Sequence, residues 1–96
     1  MAKGYWINMF HSIKDQAKVD AYRKLAAPVM QASGGRFLVR GDPAKVYEHG
    51  VMGRTVVIEF ESVEKAIAVH DSPGYQAALK ALGDGAVRDL RIVEGV

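Results

Sequence analysis

The order of strand-like and helix-like segments along these 96 residues predicts an α+β fold, with two helices covering one face of a four-stranded antiparallel sheet. Three observations carry this prediction. Four short segments are rich in β-branched and aromatic residues, two segments repeat apolar residues at helical spacing, and glycine, serine and proline separate them. Elements in the order β-α-β-β-α-β form a ferredoxin-like sandwich.

The strand predictions rest on short runs dominated by β-branched and aromatic residues. The segment RTVVIEF at 54–60 is apolar at nearly every position, which is typical of a strand covered on both faces. Gly4 to Phe10 is largely apolar in both alternating sets, so it is also predicted to be central. The predicted strands cover residues 4–10, 36–40, 54–60 and 88–94, and the second is expected to continue over 45–48 within a long hairpin.

Apolar residues spaced three and four apart predict two helical regions. The first begins within Ser12–Asp15, contains Pro28, where a kink or loosening is expected, and ends at Gly34–Gly35. Its apolar stripe comprises Tyr22, Leu25, Ala26, Val29 and Met30. The second region begins at Ser62 and restarts at Ser72–Pro73, because serine is a good N-cap and proline suits the first helical position.

Composition limits the class of protein. Hydrophobic residues make up 49%, charged residues 25% and the net charge is +2, which is typical of a single globular domain spanning residues 1–96. The basic residues do not cluster, so no nucleic-acid partner is expected. Cysteine is absent and the histidines lack a paired metal spacing, so neither a metal nor a cofactor is expected. No apolar run suits a signal peptide or a membrane span, which predicts a cytoplasmic protein without a membrane partner.

The sheet face away from the helices is predicted to be apolar. Alternation along the strands assigns to it Trp6, Phe10, Leu38, Val57 and Val93. Strand spacing gives this face a flat area of ~300 Å², and monomers seldom expose a contiguous apolar patch larger than a few hundred Å². We therefore expect a homodimer in which two sheets pack face to face and close a barrel.

Polar side chains on that predicted face indicate a candidate ligand pocket bordered by Asn8, Arg40 and Glu59. Glu59 would serve as a general base or ligand anchor, and Arg40 would clamp a carboxylate. The alternative is structural, with Glu59 in an ion pair with Arg40 or Arg36. His70 lies in an apolar helical stripe and joins the pocket only if the helix end reaches the barrel rim. Otherwise it is a core or interface histidine.

Five ordered blocks of sequence support a family resemblance. They are KGYWI at 3–7, GRFLVRG at 35–41, VVIEF at 56–60, DSP with YQAA at 71–78, and IVEG at 92–95. Together they resemble, from end to end, the bacterial family known as domain of unknown function 1330. The resemblance implies the dimeric α+β barrel superfamily, which includes cofactor-free monooxygenases and muconolactone isomerases, and it implies no particular activity. The chain departs from the family pattern at His70, Gly74 and Gly83, so no family role is carried onto these positions.

Two functions are compatible with these features. The first is binding or transforming a small aromatic or carboxylate-bearing molecule in a dimeric barrel without a cofactor. The second is a non-catalytic dimeric binding or regulatory module. Polar groups around a pocket would favour the first function, and a dry, filled sheet interface would favour the second. Whether the chain is an enzyme stays open at this point.

Overall fold

The computed structural model describes residues 2–96, which form one four-stranded antiparallel sheet and three helices. In chain order the elements are β1 Gly4–Ile13, α1 Gln16–Ala32, β2 Arg36–Gly41, β3 Thr55–Phe60, α2 Val63–His70, α3 Pro73–Leu82 and β4 Ala86–Glu94. The strands lie in the order β2-β3-β1-β4, so β1 and β3 are central as predicted. The α+β ferredoxin-like arrangement is confirmed. Among residues 2–96, no helix combines the length and apolar character needed to cross a membrane.

Helix α1 begins and ends where local sequence signals favour it. Asp15 is the N-cap, and its carboxylate accepts hydrogen bonds from two backbone amides of the first turn at 3.0 and 3.3 Å. Beyond Ala32 the chain turns at Gly34, whose φ of 80° is a conformation that side chains with a Cβ rarely adopt. Pro28 lies inside a helix that continues to Ala32, so it does not end α1 early.

The second helical region consists of two helices, α2 and α3. Asp71 ends α2, and Ser72 is the N-cap of α3. The Ser72 hydroxyl accepts a hydrogen bond from the backbone amide of Tyr75 at 3.4 Å and donates one to the carbonyl of Val69 at 2.7 Å. Pro73 follows as the first helical residue, where its fixed φ is favourable. The predicted restart of the helix is therefore confirmed.

The predicted continuation of the second strand over 45–48 is wrong. Residues 42–54 form an irregular loop between β2 and β3. Strand β3 begins only at Thr55, which pairs with Gly41, so the chain beyond Gly41 has no neighbouring strand to satisfy its backbone hydrogen bonds. Glu48 has a φ of 53°, which is incompatible with an extended strand.

The two faces of β1 are the reverse of those predicted. Trp6, Asn8 and Phe10 face the helices, whereas the open face, the side of the sheet away from the helices, carries Tyr5, Ile7 and Met9. Trp6 is 1% exposed and packs edge-on against Tyr75 of α3, with ring centroids 4.8 Å apart. Because both sets are apolar, hydrophobicity alone does not choose between them. The larger aromatic rings lie on the side where the helices provide the deeper cover.

Three of the five residues predicted for the open face are on the exposed side of the sheet. Val57 pairs with Ile7 and Val93 pairs with Tyr5, so both valines share the open face of β1. Leu38 is also exposed, at an irregularity in β2. Trp6 and Phe10 were therefore assigned wrongly, and the remaining apolar residues still leave a hydrophobic open face.

Candidate functional site

A cavity of about 440 Å³ lies between α1 and the sheet. Helix α1 packs chiefly against α3, and the cavity is bordered by α1 on one side and by β1, β2 and β3 on the other. The apolar part of its wall includes Trp6, Phe10, Met30, Phe37 and Ile58. A concave site of this size with a largely apolar wall is typical of small-molecule binding pockets.

A bulge in β2 turns Arg40 towards this cavity. Phe37 pairs with Ile58 and Arg40 pairs with Val56, both on the helix-covered side, although strict alternation would separate Phe37 and Arg40. The extra residue, Leu38, shifts the alternation by one. The Arg40 guanidinium lies over the Phe37 ring, 4.6 Å from its centroid, and lines the cavity. The prediction that Arg40 shares a face with Leu38 is therefore wrong.

The cavity wall is positively charged. Four basic side chains line it against one carboxylate, Asp20, which lies 4.0 Å from Arg23. Partial burial lowers the pKa of Arg54, and the charges of Arg23 and Arg40 lower it further, with Asp42 acting in the opposite direction. We call Arg23, Arg40 and Arg54 the arginine cluster. Their mutual repulsion favours an anion in the space that they border.

The position of Arg54 depends on a close backbone approach at Gly53. A Cβ atom on Gly53 would overlap the backbone oxygen of Phe10, so a larger residue does not fit there. The carbonyl of Arg54 then accepts a hydrogen bond from the backbone amide of Phe10 at 3.0 Å. Strand β1 thus anchors the end of the 42–54 loop and holds Arg54 at the cavity wall.

Asn8 is a buried polar side chain in the same wall. It is 3% exposed, and its Oδ1 atom has no hydrogen-bond partner within residues 2–96. Buried acceptors are normally paired, so an unpaired one at a cavity wall marks a position for a donor group of a ligand. The structure thus brings Asn8 and Arg40 to one cavity, on the helix-covered side of the sheet instead of the barrel face.

The buried Tyr22 and Tyr75 form a polar cluster with the half-buried Arg88, and the cluster reaches the cavity through Tyr22. Nη1 of Arg88 donates a hydrogen bond to Tyr22 Oη and Nη2 donates one to Tyr75 Oη, both at 3.0 Å. The two hydroxyl oxygens lie 2.8 Å apart. No carboxylate within residues 2–96 forms an ion pair with Arg88. The guanidinium group is instead hydrogen-bonded to the hydroxyls of Tyr22 and Tyr75, and we call these two residues the tyrosine pair.

Arg88 acts to lower the pKa of Tyr75, but burial and the neighbouring Tyr22 outweigh it. Burial raises the pKa of Tyr75 well above its ordinary value, so its hydroxyl keeps its proton at neutral pH. Burial opposes the charge on Arg88, but the two tyrosines outweigh that effect and raise the pKa of the guanidinium. At neutral pH the cluster therefore consists of a cation and a neutral buried hydroxyl on Tyr75.

Glu59 does not border the cavity, because it lies on the open face. Its Oε2 accepts a hydrogen bond from the Tyr5 hydroxyl at 3.0 Å, and this bond raises the pKa of Tyr5. Arg36 is its cross-strand neighbour, yet within residues 2–96 Glu59 forms no ion pair with Arg36 or Arg40. Both the shared pocket with Asn8 and Arg40 and the predicted structural ion pair are wrong.

His70 lies at the end of α2, outside the cavity wall. Its ring centroid is 5.7 Å from that of Trp6 and 5.2 Å from that of Tyr75, and its Nδ1 lies 3.0 Å from a carboxylate oxygen of Asp71. It packs against the core as a half-buried residue. Within residues 2–96, no three His, Asp or Glu side chains are grouped in a way that would hold a metal ion.

The site prediction missed Arg54 and the cluster of Arg88 with the tyrosine pair. For Arg88 a signal was present in the sequence. By strand alternation, Arg88 lies on the same face of β4 as the apolar Leu90 and Ile92. A charged residue on an apolar face indicates that a polar partner lies nearby. For the tyrosines the periodicity showed burial but not hydroxyl pairing, because the two residues belong to different helices.

A comparison with known protein families shows the family of this chain. Residues 3–96 match the family described as "Domain of unknown function (DUF1330)". The chain belongs to this family. None of the curated proteins matches this DUF1330 chain.

Solved structures with similar folds have low sequence identity to the DUF1330 chain. A protein of unknown function from Rhodopseudomonas palustris, RPA0582, has 18% identity and a TM-score of 0.72, covering 97% of this chain and 80% of the other. SnoaB, a cofactor-independent oxygenase from Streptomyces nogalater, has 14% identity and a TM-score of 0.65, with coverages of 97% and 92%. A dimeric ferredoxin-like protein of unknown function from Bacteroides fragilis has 13% identity and a TM-score of 0.62, with coverages of 96% and 95%. These similarities establish the fold.

Proposed function

We propose that this DUF1330 chain binds a small organic anion with an apolar, aromatic body in the cavity beneath α1, without a cofactor. The observation that carries this proposal is the arginine cluster at an otherwise apolar cavity wall. A carboxylate on the ligand would relieve the repulsion among Arg23, Arg40 and Arg54, and the planar guanidinium groups suit bidentate contact. The aromatic wall would cover the rest of the ligand.

Chemical transformation of that ligand is supported by fold similarity to SnoaB, which is a cofactor-independent oxygenase. Binding without turnover is the second candidate function, in a dimeric binding or regulatory module. It is favoured by the cavity wall, in which Asp20 is the one carboxylate and His70 does not take part. A general base needs to reach the proton that it removes, and the side-chain amide of Asn8 is not a base. Mass spectrometry of a ligand recovered after incubation with the protein separates the two functions.

We also propose a homodimer that packs through the open face. The support is the apolar surface of Ile7, Met9, Val39, Val57 and Val93, together with the dimeric state described for the similar Bacteroides protein. Light scattering at micromolar concentration should give twice the chain mass of 10.5 kDa. Val57→Lys should reduce it to the monomer mass, whereas a wild-type monomer would contradict the proposal.

The binding proposal is tested with 2-naphthoate and its neutral amide, 2-naphthamide, which has a similar shape. Naphthoate should shift NMR resonances of the cavity wall and bind about tenfold more tightly than the amide, because charge-assisted hydrogen bonds are worth ~1.5–3 kcal/mol each. Arg54→Met should remove this preference for the anion. Arg36→Met is the matched control, since Arg36 lies on the opposite face of the sheet from the cavity. Equal affinity for the two probes, or shifts confined to the open face, would contradict the proposal.

A further inference from the structure

The tyrosine pair carries two hydroxyl hydrogens, and each of them needs an acceptor. Each hydroxyl has one hydrogen to donate and can accept two hydrogen bonds. Arg88 donates to both oxygens and takes no hydrogen itself, so it leaves both O–H groups in need of an acceptor. One O–H bridges the 2.8 Å gap between the two oxygens. The other O–H must find an acceptor outside the cluster.

The surroundings of the two rings decide which hydrogen is free. Tyr75 is 0% exposed, and its oxygen contacts only Tyr22 and Arg88 among the hydrogen-bond partners within residues 2–96. If Tyr75 kept the free O–H, a buried donor would be left unpaired, which is unfavourable. Tyr22 lines the cavity, where a ligand or solvent can accept. The lower-energy arrangement therefore has Tyr75 donating to Tyr22, and Tyr22 donating into the cavity.

We infer that the Tyr22 hydroxyl is a ligand-facing hydrogen-bond donor, oriented by Tyr75 and Arg88 as positioning residues. Tyr22 then accepts two hydrogen bonds, one from Arg88 and one from Tyr75. Because the Tyr22 oxygen accepts a hydrogen bond from a cation, its own O–H bond is polarised and becomes a stronger donor. The preferred ligand group at this point is an oxygen acceptor, such as a carbonyl, hydroxyl or phenolate oxygen.

Asn8 narrows the ligand class further. Asn8 belongs to the wall of the same cavity and its buried Oδ1 lacks a donor, whereas Tyr22 needs an acceptor. A hydroxyl group satisfies both requirements with a single oxygen atom, since it donates one hydrogen bond and accepts others. The inference rests on the proposed anion-binding function and specifies the ligand as a hydroxylated aromatic acid: the acid group for the arginine cluster and the hydroxyl for Tyr22 and Asn8.

A matched pair of probes tests this inference, 2-naphthoate and 6-hydroxy-2-naphthoate, with affinities measured by calorimetry. On the wild-type protein the hydroxyl compound should bind about tenfold more tightly, the increment expected for two additional hydrogen bonds. Tyr22→Phe should bind both probes equally, because the ring stays and the donor is lost. Tyr75→Phe should keep part of the affinity difference between the two probes. Tyr47→Phe is the control and should keep all of it, because Tyr47 is 75% exposed on the 42–54 loop.

The outcomes separate the inference from the proposed function. If 2-naphthoate binds but the hydroxyl adds nothing, or its advantage persists in Tyr22→Phe, the inference is wrong and the anion site stands. If neither probe binds the cavity, the proposed function is wrong for this ligand class. The hydrogen assignment is then decided without ligand, by NMR of tyrosine labelled at Cζ. Tyr75 should exchange its hydroxyl hydrogen with water more slowly than Tyr22, and the reverse order would overturn the inference.

Discussion

The helix-covered side of the sheet has two halves with opposite packing. Beneath α2 and α3, the rings of Trp6, Phe60 and Tyr75 fill the space, with Trp6 within 6.2 Å of Phe60 and 4.8 Å of Tyr75 between centroids. Beneath α1 there is a cavity of about 440 Å³. We call these the filled half and the hollow half.

The difference between the halves separates stability from binding within one layer. The filled half gains dispersion and hydrophobic energy from close-packed aromatic rings. The hollow half forgoes that energy and carries the groups that a core would normally exclude, namely an unpaired amide at Asn8 and the arginine cluster. A polar group without a partner is unfavourable in a core but useful in a binding site, where the ligand supplies the partner.

The largest effect should come from truncating the same residue type in each half. Phe60→Ala should lower the free energy of unfolding by ~3–5 kcal/mol, because it removes a fully buried ring from close packing. Phe37→Ala should lower it by less than half as much, since Phe37 is half-buried and already borders a cavity. Urea unfolding measures both. Equal losses would show that the hollow half is not hollow in solution.

The next effect compares two arginines of the helix-covered side. Arg88→Met should cost ~1.5–3 kcal/mol, because both tyrosine hydroxyls lose a hydrogen bond from a charged donor. Arg40→Met should change stability by less than ~0.5 kcal/mol, since Arg40 is exposed and lacks a buried partner within residues 2–96. It should instead weaken naphthoate binding. A large stability loss in Arg40→Met would mean that the arginine cluster is structural.

The elements of this fold were predictable because their signals are local. The N-cap at Ser62, the break at Ser72–Pro73 and the glycine after α1 each act within a few residues, and each occurs in the structure as predicted. Central positions for β1 and β3 followed from their apolar character on both faces. Such signals need no knowledge of the tertiary contacts.

The site was not predictable to the same degree, because it depends on which way side chains point. Trp6 and Asn8 lie on the side of β1 that the sequence could not select, since both faces of the strand are apolar. The bulge at Leu38 moves Arg40 to the other face of β2, and one extra residue in a strand leaves no clear mark in its composition. Of the four predicted pocket residues, Asn8 and Arg40 therefore meet at the cavity, while Glu59 and His70 lie outside it.

Alkaline pH should weaken the fold through the filled half. The pKa of Tyr75 is raised above its ordinary value of 10.0 by burial, so between pH 10 and 11 the unfolded chain releases this proton and the folded chain retains it. The unfolded state is thereby favoured, by about 1.4 kcal/mol at pH 11 for one such group. Stability from this group is complete below pH 10 and falls as the pH rises. Urea midpoints measured from pH 8 to 11 should show this fall, and the fall should be reduced in Tyr75→Phe.

The smallest effect on stability should come from removing helix caps. The caps of α1, above the hollow half, and of α3, above the filled half, can be compared. Asp15→Ala removes two hydrogen bonds from backbone amides at the start of α1 and should cost ~1 kcal/mol or less, because the cap is exposed to water that can replace it. Ser72→Ala should cost more, since its hydroxyl both accepts from Tyr75 and donates to Val69 in a half-buried position. Asp15→Asn and Ser72→Thr retain capping groups and serve as controls. Amide hydrogen exchange should show faster opening of the first turn of α1 in Asp15→Ala, with the amides of α3 changed only by the global loss of stability. Equal acceleration in both helices would mean that α1 and α3 open as one unit.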